Sequence, residues 1–328
     1  MKKGLLFLAA FLLLLVSGLF GYVLFSTGPA LLFPQTPLPD IQARPEPQII
    51  ERGRYLFHGP AHCSQCHSGN DRDRPQDINN VPIGGGLELP VIPLGTFYAR
   101  NLSSDEETGV GGIGATHLAR TLQTGVMADD SLSFFVSQSA AFLSDEDIVA
   151  VISYMRTLAP VRREVQRGSF SLIGRFLFSF GLLPLEPRQS PTPVHVTDTT
   201  TPSLDRGRYL AENVMLCTFC HTEFDKVALQ MTGPSGGGSL PDPSHGDDSD
   251  MEFVAPNLTA HPTGITGRLD ENQFVARMQA GREFTSSIMP WENFAATTQN
   301  DLRSVYRYLR SLPEVDNEVG ATYCRGHL

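Results

Sequence analysis

Glu51-Arg-Gly-Arg-Tyr-Leu56 returns 154 positions later as Asp205-Arg-Gly-Arg-Tyr-Leu210. At the same offset Cys63-Ser-Gln-Cys66-His67 meets Cys217-Thr-Phe-Cys220-His221, and Tyr154-Met-Arg-Thr-Leu158 meets Tyr308-Leu-Arg-Ser-Leu312. Between them, one or two residues out of step, Asn101-Leu102-Ser103 matches Asn257-Leu258-Thr259, and Thr108-Gly109-Val110 matches Thr263-Gly264-Ile265. Landmarks that recur in one order predict a duplicated domain, with copies at 49–161 and 203–315. The chain has 328 residues, enough for two globular units at about 100–200 residues each.

Each copy carries the same coarse pattern. A short helix with Arg-Gly-Arg-Tyr-Leu leads into the cysteine pair, and a long Gly/Pro-rich excursion follows. A second helix is predicted over Ala115 to Gln123 and over Asp270 to Gln279, stopped by Gly125 and Gly281. The last helix opens at Ser144-Asp-Glu-Asp147, a capping residue before an acidic first turn. Ile148, Val151, Ile152, Met155 and Leu158 then fall at helical spacing, as do Leu302, Val305, Leu309 and Leu312. No run of alternating strands stands out, so the fold is expected to be mostly α. The connector, 162–202, contains an apolar stretch from Phe170 to Leu185, expected to pack across both domains. It holds Arg175 and is too short for a membrane span of about 20 residues.

Lys2 and Lys3 precede an uncharged apolar run from Leu5 to Phe25. It is longer than a signal-peptide core of about 7–15 residues, and no Ala-x-Ala follows. Residues 1–26 are therefore expected to form an uncleaved transmembrane anchor, with a Pro-rich linker at 27–48. The basic start would stay inside, leaving everything beyond it outside a bacterial inner membrane crossed once. Residues 316–328 are a C-terminal tail. A net charge of −10 with no Lys/Arg block argues against a nucleic-acid partner.

Cys-x-x-Cys-His is the attachment signature of c-type haem. Two thiols one helical turn apart can each add to a haem vinyl group, and the next residue offers its imidazole to the iron. A zinc ribbon built from the two Cys-x-x-Cys pairs is the competing reading. It requires no histidine after each second cysteine and does not account for the long repeat. Cys63, Cys66, Cys217 and Cys220 are the expected attachment points of two covalent haems c, with His67 and His221 as iron ligands.

At these residues the chain resembles bacterial cytochromes c, and more closely the membrane-bound c-type subunits of periplasmic alcohol, aldehyde and gluconate dehydrogenases. The resemblance rests on Ala255-Pro256-Asn257-Leu258-Thr259, Thr263-Gly264-Ile265 and Met289-Pro290-Trp291 in the second copy. In the first it rests on Ala99-Arg100-Asn101-Leu102-Ser103 and Thr108-Gly109-Val110-Gly111. It implies tandem cytochrome c-like domains, each with haem, behind the N-terminal helix. It also implies single-electron transfer in a periplasmic respiratory chain. The expected redox partners are a dehydrogenase, a quinol oxidase, a terminal oxidase or a soluble cytochrome.

The resemblance makes Met289 the sixth ligand of the second haem; Met thioether is the usual partner of His in cytochromes c and raises the potential. Counting back 154 from Met289 lands on Phe135, which cannot bind iron. Met127 is the nearest alternative, and His117, His58, His62 and Cys324 are weaker ones. An open first haem would also suit a peroxidase-like redox enzyme, the rival to a pure electron carrier. Five acids between Asp242 and Glu252, with no Lys or Arg, are expected to be a solvated loop. Gly84-Gly85-Gly86 and Gly236-Gly237-Gly238 lack the Lys-Ser/Thr of a nucleotide loop and are expected to be turns at the haem edge.

Overall fold

The structure, a computed structural model, describes residues 2–26, 30–69, 81–138, 142–183, 185–189, 200–225, 230–238, 242–243, 251–283, 287, 289–319 and 323–325. The core of the Asp242–Glu252 loop, 244–250, lies outside them.

In the first half, α2 (Pro47–His58) crosses α6 (Asp145–Met155), with α4 (Ala115–Thr124) packed beside α6. The crossing is close because Gly53 has no side chain: a Cβ there would run into the backbone of Ala150. In the second half, α8 (Leu204–Tyr209) crosses α13 (Gln299–Ser311), with α11 (Glu271–Gln279) beside α13. Gly207 meets the backbone of Ser304 in the same way. The predicted cap and stop of the first half are present: Ser144 accepts from the Asp147 amide, and Gly125 closes α4 at φ 84°. The structure adds a reciprocal capping box between Asp270 and Gln273.

One apolar core runs through both halves, from Leu56, Phe57, Ile148 and Ile152 to Tyr209, Leu210, Leu302 and Leu309. A second, smaller core gathers Leu31, Leu94, Val126, Leu132, Phe170, Leu183 and Leu185. It is built around a three-stranded antiparallel sheet of β1 (Glu88–Val91), β2 (Gly95–Tyr98) and β3 (Ser169–Phe170). Other short strands pair as β4 (Phe224–Asp225) with β5 (Gln230–Met231), and as β6 (Asp242–Pro243), β7 (Met251–Phe253) and β8 (Tyr323–Arg325). Their pairs are two to four residues long, too short to leave an alternating pattern in sequence. The connector also departs from expectation. Its strand β3 and helix α7 (Leu172–Ser179) pack against residues of the first half and of the N-terminal segment.

The N-terminal anchor requires correction. Residues Lys2–Ser26 form a helix, α1, but among the described residues no helix is long and apolar enough to cross a membrane. Tyr22 meets the ring of Phe180, just past α7, at 6.0 Å, and Val23 is buried. The expected single-pass placement in an inner membrane falls with the anchor.

Candidate functional site

Each Cys-x-x-Cys-His segment is a single helical turn, α3 (Cys63–His67) and α9 (Cys217–Cys220). Each is entered through a residue held in the left-handed region, His62 at φ 42° and Leu216 at φ 59°. Such a conformation costs a non-glycine residue on the order of 1–3 kcal/mol and is retained where the surroundings fix it. Its recurrence just before each first cysteine sets the direction from which that thiol emerges. All four motif cysteines are free thiols. Burial pushes Cys63 and Cys217 up to about 12, with the neighbouring motif cysteine adding to it.

The histidines are gripped identically. His67 Nδ1 lies 2.7 Å from the carbonyl of Arg100, and His221 Nδ1 lies 2.8 Å from the carbonyl of Pro256. A carbonyl accepts only, so each ring carries its proton on Nδ1 and leaves Nε2 to bind a metal. The main-chain carbonyl of each histidine is capped in turn, His67 O by the Gly85 amide and His221 O by the Gly238 amide, both at 2.8 Å. Burial draws both imidazoles below their ordinary pKa and keeps them neutral, the form that binds iron. The glycines are required: Gly85 at φ 65° and Gly238 at φ 92° sit where a Cβ would press on the chain carrying that same carbonyl segment.

Asn101 and Asn257, read from sequence only as landmarks, are what hold those carbonyls. Asn101 donates to Val161 O at 2.8 Å and accepts from the Ser103 amide at 3.0 Å. Asn257 donates to Val315 O at 2.7 Å and accepts from the Thr259 amide at 2.9 Å. Each asparagine fixes the loop whose preceding residue orients the histidine. The signal was present in the repeated Asn-Leu-Ser/Thr, but not its meaning, because the partner carbonyls lie about 60 residues away.

The other candidates divide. Met289 packs against the main core, as do Cys63 and Cys217. Phe135 sits on α5 (Phe134–Gln138), 41% exposed and edge-on to Phe97 and Phe134. Met127 is half-buried in a turn whose backbone pairs with Ser131. His58 is buried with its Nε2 2.7 Å from the Tyr154 hydroxyl, and His62 packs edge-on to Phe294. Cys324 pairs its backbone with Glu252. Among the described residues no three His, Cys, Asp or Glu side chains are grouped to hold a metal ion between them, so a zinc ribbon finds no cluster. Paired thiols one turn apart and a neutral histidine with Nε2 left over fit covalent haem.

Residues 50–159 match the cytochrome c family model. Over 81% of its length the chain is 26% identical to the alcohol dehydrogenase (quinone) cytochrome c subunit of Gluconobacter oxydans. Over 82% it is 25% identical to the gluconate 2-dehydrogenase cytochrome c subunit of Pantoea cypripedii. Those alignments cover 55% and 60% of the two relatives, so the chain spans little more than half their length. A diheme c-type cytochrome of Cereibacter sphaeroides is 24% identical over 81% of this chain and 86% of its own. Residues 50–159 are thus similar to the cytochrome c family, whose domains transfer electrons through covalent haem c, in a chain similar to the cytochrome subunits of alcohol, gluconate and fructose dehydrogenases.

Proposed function

We propose that the chain is a dihaem electron carrier built from two domains, 49–161 and 203–315, each holding one haem c. Cys63 and Cys66 anchor the first haem and Cys217 and Cys220 the second. His67 and His221 are the proximal ligands, and Met289 is the distal ligand of the second. The observation that carries this reading is the matched grip on the two histidines, Nδ1 to a loop carbonyl and the histidine carbonyl to a glycine amide. A purely structural histidine has no need of both.

When bound, the iron supplies reversible one-electron chemistry. The protein's own residues set its terms. Arg100 and Pro256 carbonyls orient the imidazoles and raise their basicity as ligands. Gly85 and Gly238 let the chain close over the histidine backbone. The named relatives favour a dehydrogenase over a quinol oxidase as electron donor, with a terminal oxidase or a soluble cytochrome as acceptor, in a periplasmic respiratory chain. A pyridine haemochrome assay is expected to give two haems c per chain. One haem per chain, or stoichiometric zinc, would overturn the reading.

A further inference from the structure

Met289 opens a segment that does not rest on its own half alone. Helix α12 (Trp291–Ala295) begins two residues later, and the Trp291 amide donates back to the Met289 carbonyl at 2.8 Å. Within the second half, Arg282 ties this segment down. Its Nε and Nη2 donate to Glu292 at 2.6 and 2.7 Å, its Nη2 also reaches the Met289 carbonyl at 3.3 Å, and its Nη1 donates to Ser287 O.

Trp291 adds a hydrogen bond to the Ser287 hydroxyl and takes Arg277 over its ring, and further support comes from the first half. Asn293, 2% exposed, directs its carboxamide Nδ2 at the His58 carbonyl, 2.7 Å, and at the Ser64 hydroxyl, 2.9 Å, 229 residues away in sequence. Ser64 is itself buried and stands between Cys63 and Cys66. His58 ends α2, which leads into that motif. Next to Asn293, the buried Phe294 takes the His62 ring edge-on at 5.6 Å. The Asn293 amide nitrogen thus donates once to the turn that bears the first pair of attachment cysteines and once to the end of the helix that leads into it. A buried donor pair cannot leave its acceptors without losing hydrogen bonds that no water replaces. A shift of the first motif must either carry α12 with it or break this contact.

We propose that Asn293 is a positioning residue for Met289, seating the second haem's ligand segment on the Cys63–His67 turn and so coupling the two haem sites. This inference rests on the two-haem reading with Met289 as ligand. The coupling is reciprocal by linkage: whatever the first motif does to Met289, a change of ligation at Met289 does to the first motif.

The test is made on the full-length, haem-loaded protein at Ser64, which lies in the other half from the quantity measured. Ser64→Ala removes one hydroxyl from the clasp, and Ser64→Thr keeps it, as Thr218 does in the second motif. In Ser64→Ala the Met–ferric charge-transfer band is expected to weaken, and the midpoint potential of the Met-ligated haem to fall. Carbon monoxide should gain access to that haem, and amide exchange over 289–295 should speed up. Ser64→Thr is expected to restore all four, and Asn293→Ala to exceed Ser64→Ala. An unchanged band, potential, carbon monoxide access and exchange in both Ser64→Ala and Asn293→Ala, with two haems present, overturns the coupling alone. A wild-type protein with one haem, or with no Met–iron band, overturns the two-haem reading and the coupling with it.

Discussion

Tyr55 donates its hydroxyl to Asp301 across 246 residues of sequence at 2.7 Å, and Tyr209 does the same to Asp147 at 2.6 Å. Each aspartate also binds an arginine of its own half: Arg206 to Asp301 at 2.8 Å, and Arg52 to Asp147. The six side chains stand in matching positions at the 154-residue offset. Each half lends a tyrosine to the other's aspartate, a self-complementary contact of the kind identical subunits make about a two-fold axis. Burial, then the adjacent carboxylate, raises both phenols well above their ordinary pKa, so they remain donors.

The two aspartates are not equally replaceable. Arg206 and Asp301 are both almost wholly buried, whereas Arg52 is 27% exposed. Asp301→Ala leaves a buried guanidinium without its partner and is expected to cost about 3–5 kcal/mol. Asp147→Ala is expected to cost less, because Arg52 can turn to water. Tyr55→Phe removes a hydrogen bond to a charged group, worth about 1.5–3 kcal/mol, and with it the longer one that the hydroxyl accepts from the Thr298 amide. Urea unfolding of the three variants and of the Tyr55→Phe/Asp301→Ala pair gives the order and the coupling. Equal losses for the two aspartates would contradict the account.

Gly53 and Gly207 allow the two helix crossings, and neither has a positive φ, so the objection to a side chain there is purely spatial. An alanine in a helix would ordinarily gain up to about 1 kcal/mol over glycine. Here the Cβ meets backbone carbonyls, which cannot rotate away. Gly53→Ala and Gly207→Ala are each expected to lose at least the 1–3 kcal/mol or so typical of an overfilled core. The check is thermal unfolding; a stabilised variant at either site would show that the crossing has slack.

These glycines mark what could be read in advance and what could not. The Arg-Gly-Arg-Tyr-Leu repeat was visible, but the roles of its members emerge only in three dimensions. Its first arginine and its tyrosine serve the interface, and its glycine serves the crossing. The cap at Ser144 and the stop at Gly125 are legible because their partners lie within a few residues, whereas the Asp270–Gln273 capping box emerges only from the structure. The Cys-x-x-Cys-His turns were legible for the same reason. Asn101, Asn257 and Asn293 were not understood, since each acts through a carbonyl or hydroxyl tens to hundreds of positions away. The sheet β1–β2–β3 was missed because its third strand is two residues of the connector. The anchor rests on hydropathy alone, which does not register that Val23 is buried within the protein and that Tyr22 meets the ring of Phe180.

Acid stability should depend on Glu271. Its carboxyl is held below the usual range first by the hydrogen bond from Arg307, with Arg303 contributing, and this ties the start of α11 to α13. A depressed carboxylate contributes stability that is complete above its unfolded value of about 4.3 and disappears as pH falls through the lower folded value. Glu271→Gln is therefore expected to cost up to about 1 kcal/mol at neutral pH, and less in high salt. The variant and wild type should converge in strong acid. A gap that widens on acidification would reverse the sign and remove Glu271 as the cause.

The final prediction is that the two proposed haems differ. In the second half, Met289 is clamped by Arg282 and packed on the main core, as a thioether ligand must be if it is to stay on iron. In the first half the corresponding position is Phe135, an exposed ring stacked edge-on to Phe97 and Phe134 at the border of the second core. A phenyl ring has no lone pair to give. The second haem should be low-spin and the higher in potential, since Met ligation favours the reduced state. The first should be high-spin or bound by a group other than methionine. Redox titration is expected to resolve two midpoint potentials. Carbon monoxide should bind one haem per reduced wild-type chain, and Met289→Ala should abolish the Met–ferric band and admit carbon monoxide to both. If instead the wild type shows two Met-ligated haems and excludes carbon monoxide, the open first site is wrong. Met127, seven residues after Arg120 and held by that arginine through its carbonyl, then becomes the ligand to mutate. If hydrogen peroxide is turned over at the open haem well above the rate of free haem, the protein is an enzyme as well as a carrier.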